Sequence, residues 1–304
     1  MGKRSQASAN STLTNYAYGL AQDMLSALAE FFAPTCPVGS TVGQFKKFDD
    51  KNAFQIYETA RALGGPATRI EFETSDASYN CKPQALETTV DDDERDAAGD
   101  DDPIRLDESR VRTLVSSAQL AHENRVLAKV NTVSAVAGAG VWSDVDVDPI
   151  KEIDEQIIAI ATATGMMPNA LGLGLGAWNV VRNHPKVIAR QPGAAIVGVS
   201  LAQFAAMLVN PGIECRVGIL SKDTTLFGKA KSATNIMGAV VVPFIRSANP
   251  TQYDPSFMKT FAGRRGGVAQ VWTYREPRMD VHAVDWTEDI QITGTACAKR
   301  IVVT

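Results

Sequence analysis

The run from Asp102 to Asn131 limits what this chain can fold into more than any other stretch. Asp102 can accept from the free N–H groups of a helix start, and Pro103 at the first position has no N–H to leave unpaired. A helix from Ile104 to about Asn131 would be about 40 Å long at about 1.5 Å per residue. Val111, Leu114, Val115, Ala118, Ala121, Leu127 and Val130 give it one apolar stripe. Arg105, Asp107, Arg110, Arg112, Glu123, Arg125 and Lys129 keep much of the remaining circumference polar. A rod that is wet along one side spans a thin slab instead of threading a round core.

A second capped start lies at Asp148-Pro149. Ile150, Ile153, Ile157, Ile160 and Ala161 follow at steps of three and four, with Lys151, Glu152, Asp154 and Glu155 turned outward, and Gly165 stops the helix. Pro168-Asn169 makes a turn, Ala170 to Leu175 reads as a short buried strand, and Ala177 to Asn183 as a short helix ending before Pro185. Gly172, Gly174 and Ala177 satisfy G-x-G-x-x-A, the turn that lets a backbone approach a pyrophosphate. The rest of that mechanism is missing: no Asp or Glu occurs between Glu155 and Glu214 to hold a ribose hydroxyl, and the glycines lie inside or just after the strand. Nucleotide binding is therefore a minor reading.

Catalytic and metal signatures are scarce. Cys36, Cys81, Cys215 and Cys297 are widely separated and form no C-x-x-C pair, which suits buried free thiols better than zinc or a disulfide framework. The three histidines, His122 on the outer side of the long helix, His184 beside Pro185 and His282 in an alternating strand, have no ligand at metal spacing. There is no G-x-S-x-G elbow, phosphate loop or H-E-x-x-H helix, so no enzyme and no cofactor is nominated. A net charge of -4 disfavours a protein that seeks nucleic acid through general positive charge. The first residues, MGKRSQASANSTL, lack the apolar run of a signal peptide, and no stretch approaches the ~18 apolar residues of a membrane span.

The first third looks unfinished on its own. Residues 1 to 12 are small and polar, the pattern of a disordered end or of an arm that orders on a neighbour. Leu13 to Phe32 has helical periodicity ended by Pro34 and Pro37. Thr41 to Thr74 reads as two extended arms around Leu63-Gly64-Gly65-Pro66, the second alternating Arg69, Glu71 and Glu73 with Ile70, Phe72 and Thr74. A long charged hairpin is marginal alone and finds a partner surface or its own sheet. Val90 to Asp102 carries eight acids and one arginine without calcium-loop order, as in a solvated linker or charged helix start.

Beyond the central stretch, Ser200-Leu201-Ala202-Gln203 is a capping box for a helix with Leu201, Phe204 and Leu208 inward, ending at Asn210-Pro211-Gly212. Ile213 to Ile219 alternates as a strand, and Ile236 to Ile245 is a strand that Pro243 would place at an edge. After Arg264-Arg265-Gly266-Gly267 come three extended runs, Val268 to Glu276, Arg278 to Trp286 and Ile290 to Thr304, separated by Pro277 and by Thr287-Glu288-Asp289. Their natural place is beside the long helix, across the 149 to 262 insertion.

The order capped helix, Gly165, Pro168-Asn169, apolar strand, short helix, Asn183-His184-Pro185 resembles the start of the axial domain of tailed-bacteriophage major capsid proteins, whose floor fold is shared with encapsulin compartments and herpesvirus capsids. AQLAHENRVLAKV resembles the Glu-containing C-terminal half of that family's spine helix. The resemblance implies an α+β fold: N-terminal arm (1–40), extended β-hairpin loop (41–82), peripheral domain with spine helix and antiparallel strands (83–148 and 268–304), and axial α/β domain (149–267). It implies a structural, non-enzymatic subunit that assembles with itself into hexamers and pentamers around double-stranded DNA, in the virion after assembly in the host cytoplasm. Partners would be a separate scaffolding protein, a portal protein, a decoration protein in some shells, and DNA by non-specific contact; no membrane is involved. Lys46, Lys47, Arg69, Glu71 and Glu73 on the hairpin would meet a neighbouring subunit. In members that cross-link covalently, Lys46, Lys47 and Lys51 occupy the donor position, and nothing selects among them. An encapsulin compartment and a two-domain α/β enzyme using the glycine turn are the alternatives.

Overall fold

A computed structural model describes residues 8–9, 27–47, 59–60, 75–98, 103–190, 198–225, 229–230, 232–263 and 270–304. The long helix runs Pro103–Val130 and serves two cores in turn. Its first half lays Val111, Leu114, Val115 and Ala118 against Val271, Val284 and Trp286 of a sheet. Its second half puts Val126, Leu127 and Val130 into a larger cluster with Phe31, Phe32, Phe244 and Phe257. The expected stripe is corrected in one place: Ala121 is exposed, and Glu123, expected outside, is 1 % exposed.

Among the described residues fourteen strands can be followed in chain order. The first nine are β1 Ser8–Ala9, β2 Thr35–Pro37, β3 Val42–Lys47, β4 Ser75–Asn80, β5 Lys82–Asp91, β6 Ala170–Gly174, β7 Glu214–Gly218, β8 Ser221–Asp223 and β9 Ala233–Asn235. Then come β10 Val240–Phe244, β11 Met258–Ala262, β12 Val271–Glu276, β13 Met279–Ile292 and β14 Ile301–Val302. The larger sheet has the order β1-β12-β13-β11-β2, with β5 also paired to β13. The second sheet has the order β14-β10-β6-β7, antiparallel except for β6–β7.

Two of the capped starts form as the sequence reads, and the third, at Asp102, lies outside the described residues. Asp148 accepts from Ile150 N–H at the start of helix Pro149–Thr164, and Gly165 closes it in the left-handed region at φ 67°. Ser200 and Gln203 exchange both capping-box bonds on helix Leu201–Met207, which stops three residues short of Asn210. The Ile150, Ile153 and Ile157 face packs with Leu171, Leu173 and Val241 on one side of the second sheet. On its other side Ala170, Val240, Val242 and Phe244 meet Phe31 and Phe32 of the four-residue helix Ala29–Phe32. Successive side chains of β6 and β10 therefore feed two different cores, as strand pleating requires.

Three strand expectations are corrected. β10 lies inside its sheet, not at an edge; β14 pairs Val240 and Val241, and at the proline the flank goes on through Lys299 N–H to the Pro243 carbonyl and a bridge from Phe244 to Ala298, so Pro243 is accommodated with its carbonyl still paired. Thr287-Glu288-Asp289 does not separate two strands, because all three continue β13, paired with β11 through Glu288 and Asp289 and with β5 through Thr287 and Glu288. Strand pairing also crosses the boundaries drawn at 262 and 267. β11 joins the larger sheet, and β14, from the last run, closes the second sheet.

At the N-terminal side, β1 pairs with β12, Ser8 opposite Thr273 and Ala9 opposite Trp272. Of the expected Leu13 to Phe32 helix, residues 27–32 are described: Ala27 and Leu28 are not helical, which corrects the expectation there, and Ala29–Phe32 is helical and ends before Pro34 as expected. Leu28, Ala29, Phe31, Phe32 and Ala33 are all buried in the chain's own core. Residues 28 to 38 are thus part of the body, although they fall inside the segment expected to be an arm. The acidic run contributes helix Asp92–Ala98. Its one arginine, Arg95, turns inward to Asp107 at 3.0 Å and Asp280 at 2.9 Å, while Asp92 meets Arg275 and Glu94 meets Arg110.

Candidate assembly site at the hairpin root

β3 and β4 pair antiparallel from Val42 opposite Asn80 to Lys47 opposite Ser75. The arms that lead away from this root, with Lys51, Arg69, Glu71 and Glu73, lie outside the described residues. Lys46 and Lys47 are half-buried at the far end of β3. Of the five residues expected to make contact, the structure therefore locates two, on one strand.

Aromatic stacking fixes the root to the body. Tyr79 lies flat on Phe261 of β11, ring centroids 4.6 Å apart, and Phe45 packs on the same ring at 5.1 Å. Cys36, Val38 and Cys81 complete this cluster. Gly43 is opposite Tyr79, and a methyl group there would overlap the phenol ring. Glycine is thus what lets the tyrosine fold across its partner strand. Asn80 N–H donates to Asp289 at 2.8 Å and Cys81 N–H to Thr41 O at 2.8 Å. Burial pushes the Tyr79 phenol and the Cys36 and Cys81 thiols above their ordinary pKa values, so they sit here as neutral packing groups.

Two buried ionic groups brace this region, and sequence reasoning missed both. Lys259 of β11, 0 % exposed, donates to Thr251 O, Asp254 O and Asp254 Oδ1 at 2.6 to 2.8 Å. Burial alone would raise the Asp254 pKa, but Lys259 and the Thr251 N–H and hydroxyl outweigh it and hold the carboxyl below its ordinary value. Glu123 of the long helix accepts from Leu28 N–H at 2.8 Å and Ala29 N–H at 2.6 Å, filling the open start of helix Ala29–Phe32. Its pKa is raised, because burial outweighs those two bonds and the nearby His122. The sequence signals were present: Lys259 interrupts an apolar run, FMKTFA, and Glu123 sits four and seven residues before the buried Leu127 and Val130.

The histidines serve the fold. His122 is corrected from exposed to half-buried: its Nδ1 lies 2.8 Å from Glu288, which also meets Arg125 at 2.7 Å. Burial would raise the Glu288 pKa, but His122 and Arg125 hold it low. His184 accepts from Lys186 N–H at the start of helix Pro185–Ala189, and His282 lies between Thr273 Oγ1 and Asp107. The four cysteines are free; burial, then Glu214, pushes the Cys215 thiol up to about 12. The glycines of the candidate nucleotide turn are explained by packing. The Phe32 ring covers Gly172, and the Gly238 carbonyl lies against Gly174. Among the described residues no group of three His, Cys, Asp or Glu could hold a metal, and no helix is long and apolar enough to cross a membrane.

A long helix on a largely antiparallel sheet, a second mixed sheet beyond it and a hairpin rooted on the first make up the α+β fold of tailed-bacteriophage major capsid proteins. No family model matches the chain. It is 26% identical to the major capsid protein of Burkholderia phage BcepMu over 263 residues, 81% of this chain and 80% of that one. A phage-related protein from Bordetella bronchiseptica matches in structure with TM-score 0.73 and 25% identity over 97% of both chains. The capsid structure of cyanophage P-SCSP1u matches with TM-score 0.53 and 10% identity, over 90% of this chain and 86% of that one. The chain is a structural capsid protein of the bacteriophage type.

Proposed function

We propose that copies of this chain form the wall of an icosahedral phage head, associating into hexamers and pentamers that enclose double-stranded DNA. One observation carries the reading: the succession of elements, from the buried N-terminal helix to the closing strand, follows the fold of solved capsid proteins over nine-tenths or more of the chain, alongside 26% identity to a phage major capsid protein. In this reading 83–148 and 268–304 make the peripheral half and 149–267 the axial half, stitched together by β11 and β14. The hairpin extends over an adjacent subunit, where Lys46, Lys47, Arg69, Glu71 and Glu73 meet opposite charges that set register more than affinity. A separate scaffolding protein, a portal protein and, in reinforced shells, a decoration protein complete the set. Assembly takes place in the host cytoplasm, and maturation changes hairpin angle and domain tilt between two packings.

The test is electron microscopy and size-exclusion chromatography of the purified chain, alone and with its scaffolding protein. Closed shells or capsomer-sized rings are expected. A stable monomer or dimer under every condition overturns the reading.

A further inference from the structure

An ammonium group has three donors and no acceptor, and Lys259 satisfies all three on one short loop, at Thr251 O, Asp254 O and Asp254 Oδ1. Between those anchors sits Gln252, which holds both strands of the hairpin. Its carbonyl accepts the Lys46 N–H of β3 at 3.4 Å, and its side chain hydrogen-bonds the Tyr79 phenol of β4. The same strand that carries Lys259 carries Phe261, the ring on which Phe45 and Tyr79 stack. Core packing alone would be served by an apolar side chain, since burying a charge is costly unless it is fully paired. What the lysine adds is a fixed loop that grips β3 and β4 together.

We propose that Lys259 is a positioning residue for assembly: by rigidifying loop 251–254 it sets, through Gln252, the direction in which the hairpin leaves the body toward a second copy of this chain. The proposal rests on the capsid reading and adds the device that aims the hairpin. The next residue of the loop, Tyr253, is 66% exposed, so the clamp faces inward and leaves the outer side open.

Lys259→Met in the full-length chain tests it, read by amide hydrogen exchange and by electron microscopy of assembled particles. Exchange at Lys46 N–H should speed up about five- to tenfold, the net worth of one hydrogen bond, while Val241 in the second sheet keeps its wild-type rate. Particles should change from one diameter to a mixture or fail to close. If Lys259→Met does not fold, Asp254→Ala leaves the ammonium two carbonyl partners and should show the same changes in weaker form. Wild-type exchange at Lys46 in a folded variant overturns the proposal, as do wild-type particles despite faster exchange. A wild-type chain that forms no particles overturns the capsid reading, with the assembly role in this proposal, and leaves the exchange data to decide the clamp.

Discussion

Glu123 shows how one side chain sets a pH dependence opposite to the usual carboxylate. Burial raises its folded pKa even though two backbone N–H groups and His122 favour the charge. A carboxylate that binds its proton more tightly when folded stabilises the fold increasingly as pH falls from above that raised value toward the ordinary one. Glu123→Ala should therefore cost more stability as pH is lowered through that window, in urea titrations of both proteins. The loss comes from two unpaired N–H groups at Leu28 and Ala29, about 1–3 kcal/mol each. Glu288, whose folded pKa is lowered, behaves in the opposite way. Its contribution is full above the ordinary carboxylate pKa and is lost as pH falls through the folded one, so the defect of Glu288→Gln should shrink in acid. Neither role could be read from residue type, because each depends on a segment about a hundred or more positions away in the chain.

At the scale of elements, the glycines separate two kinds of close approach. A methyl group at Gly43 meets the Tyr79 side chain, which can shift, whereas one at Gly174 meets the Gly238 carbonyl, which is backbone. Gly43→Ala is expected to cost about 1–3 kcal/mol with the hairpin root loosened. Gly174→Ala should cost more and spread the strands of the second sheet, as thermal melting and amide exchange across β6 and β10 will report. The helices were legible because their signals are local: Asp148 with Gly165, Ser200 with Gln203, isoleucines at steps of three and four. The strands were legible in texture but not in partnership. Nothing near Thr287-Glu288-Asp289 says that β5 will lie along β13 without a break, and nothing near Pro243 says that β14 will pair only Val240 and Val241. The hairpin was visible as a pair of extended runs, whereas its clamp was not, because Gln252 and Lys259 come from a stretch with no turn or charge pattern that points to residues 46 and 79.

For the molecule as a whole, strand exchange decides how it comes apart. Trp142 reports on the core between the second sheet and helix Pro149–Thr164, and Trp286 on the core under the long helix. If the halves were independent, the two reporters would lose their signals at different urea concentrations. Because β11 and β14 each leave one half to pair in the other, and Pro103–Val130 runs through two cores, one shared transition is expected. Variants that keep only one of these tryptophans, the others replaced by phenylalanine, should give coincident midpoints, and separated midpoints would show a divided molecule.

The position of β14 also bears on synthesis. The ribosome delivers β6, β7 and β10 early, and then builds all of β11, β12 and β13 before Ile301 and Val302 emerge to seal the flank of β10. Until that moment the nascent sheet has an unpaired flank that any nearby extended segment could occupy. Correct closure is thus a late, long-range event in translation, and substitutions at Ile301 should lower the yield of soluble protein more than they lower the stability of what folds.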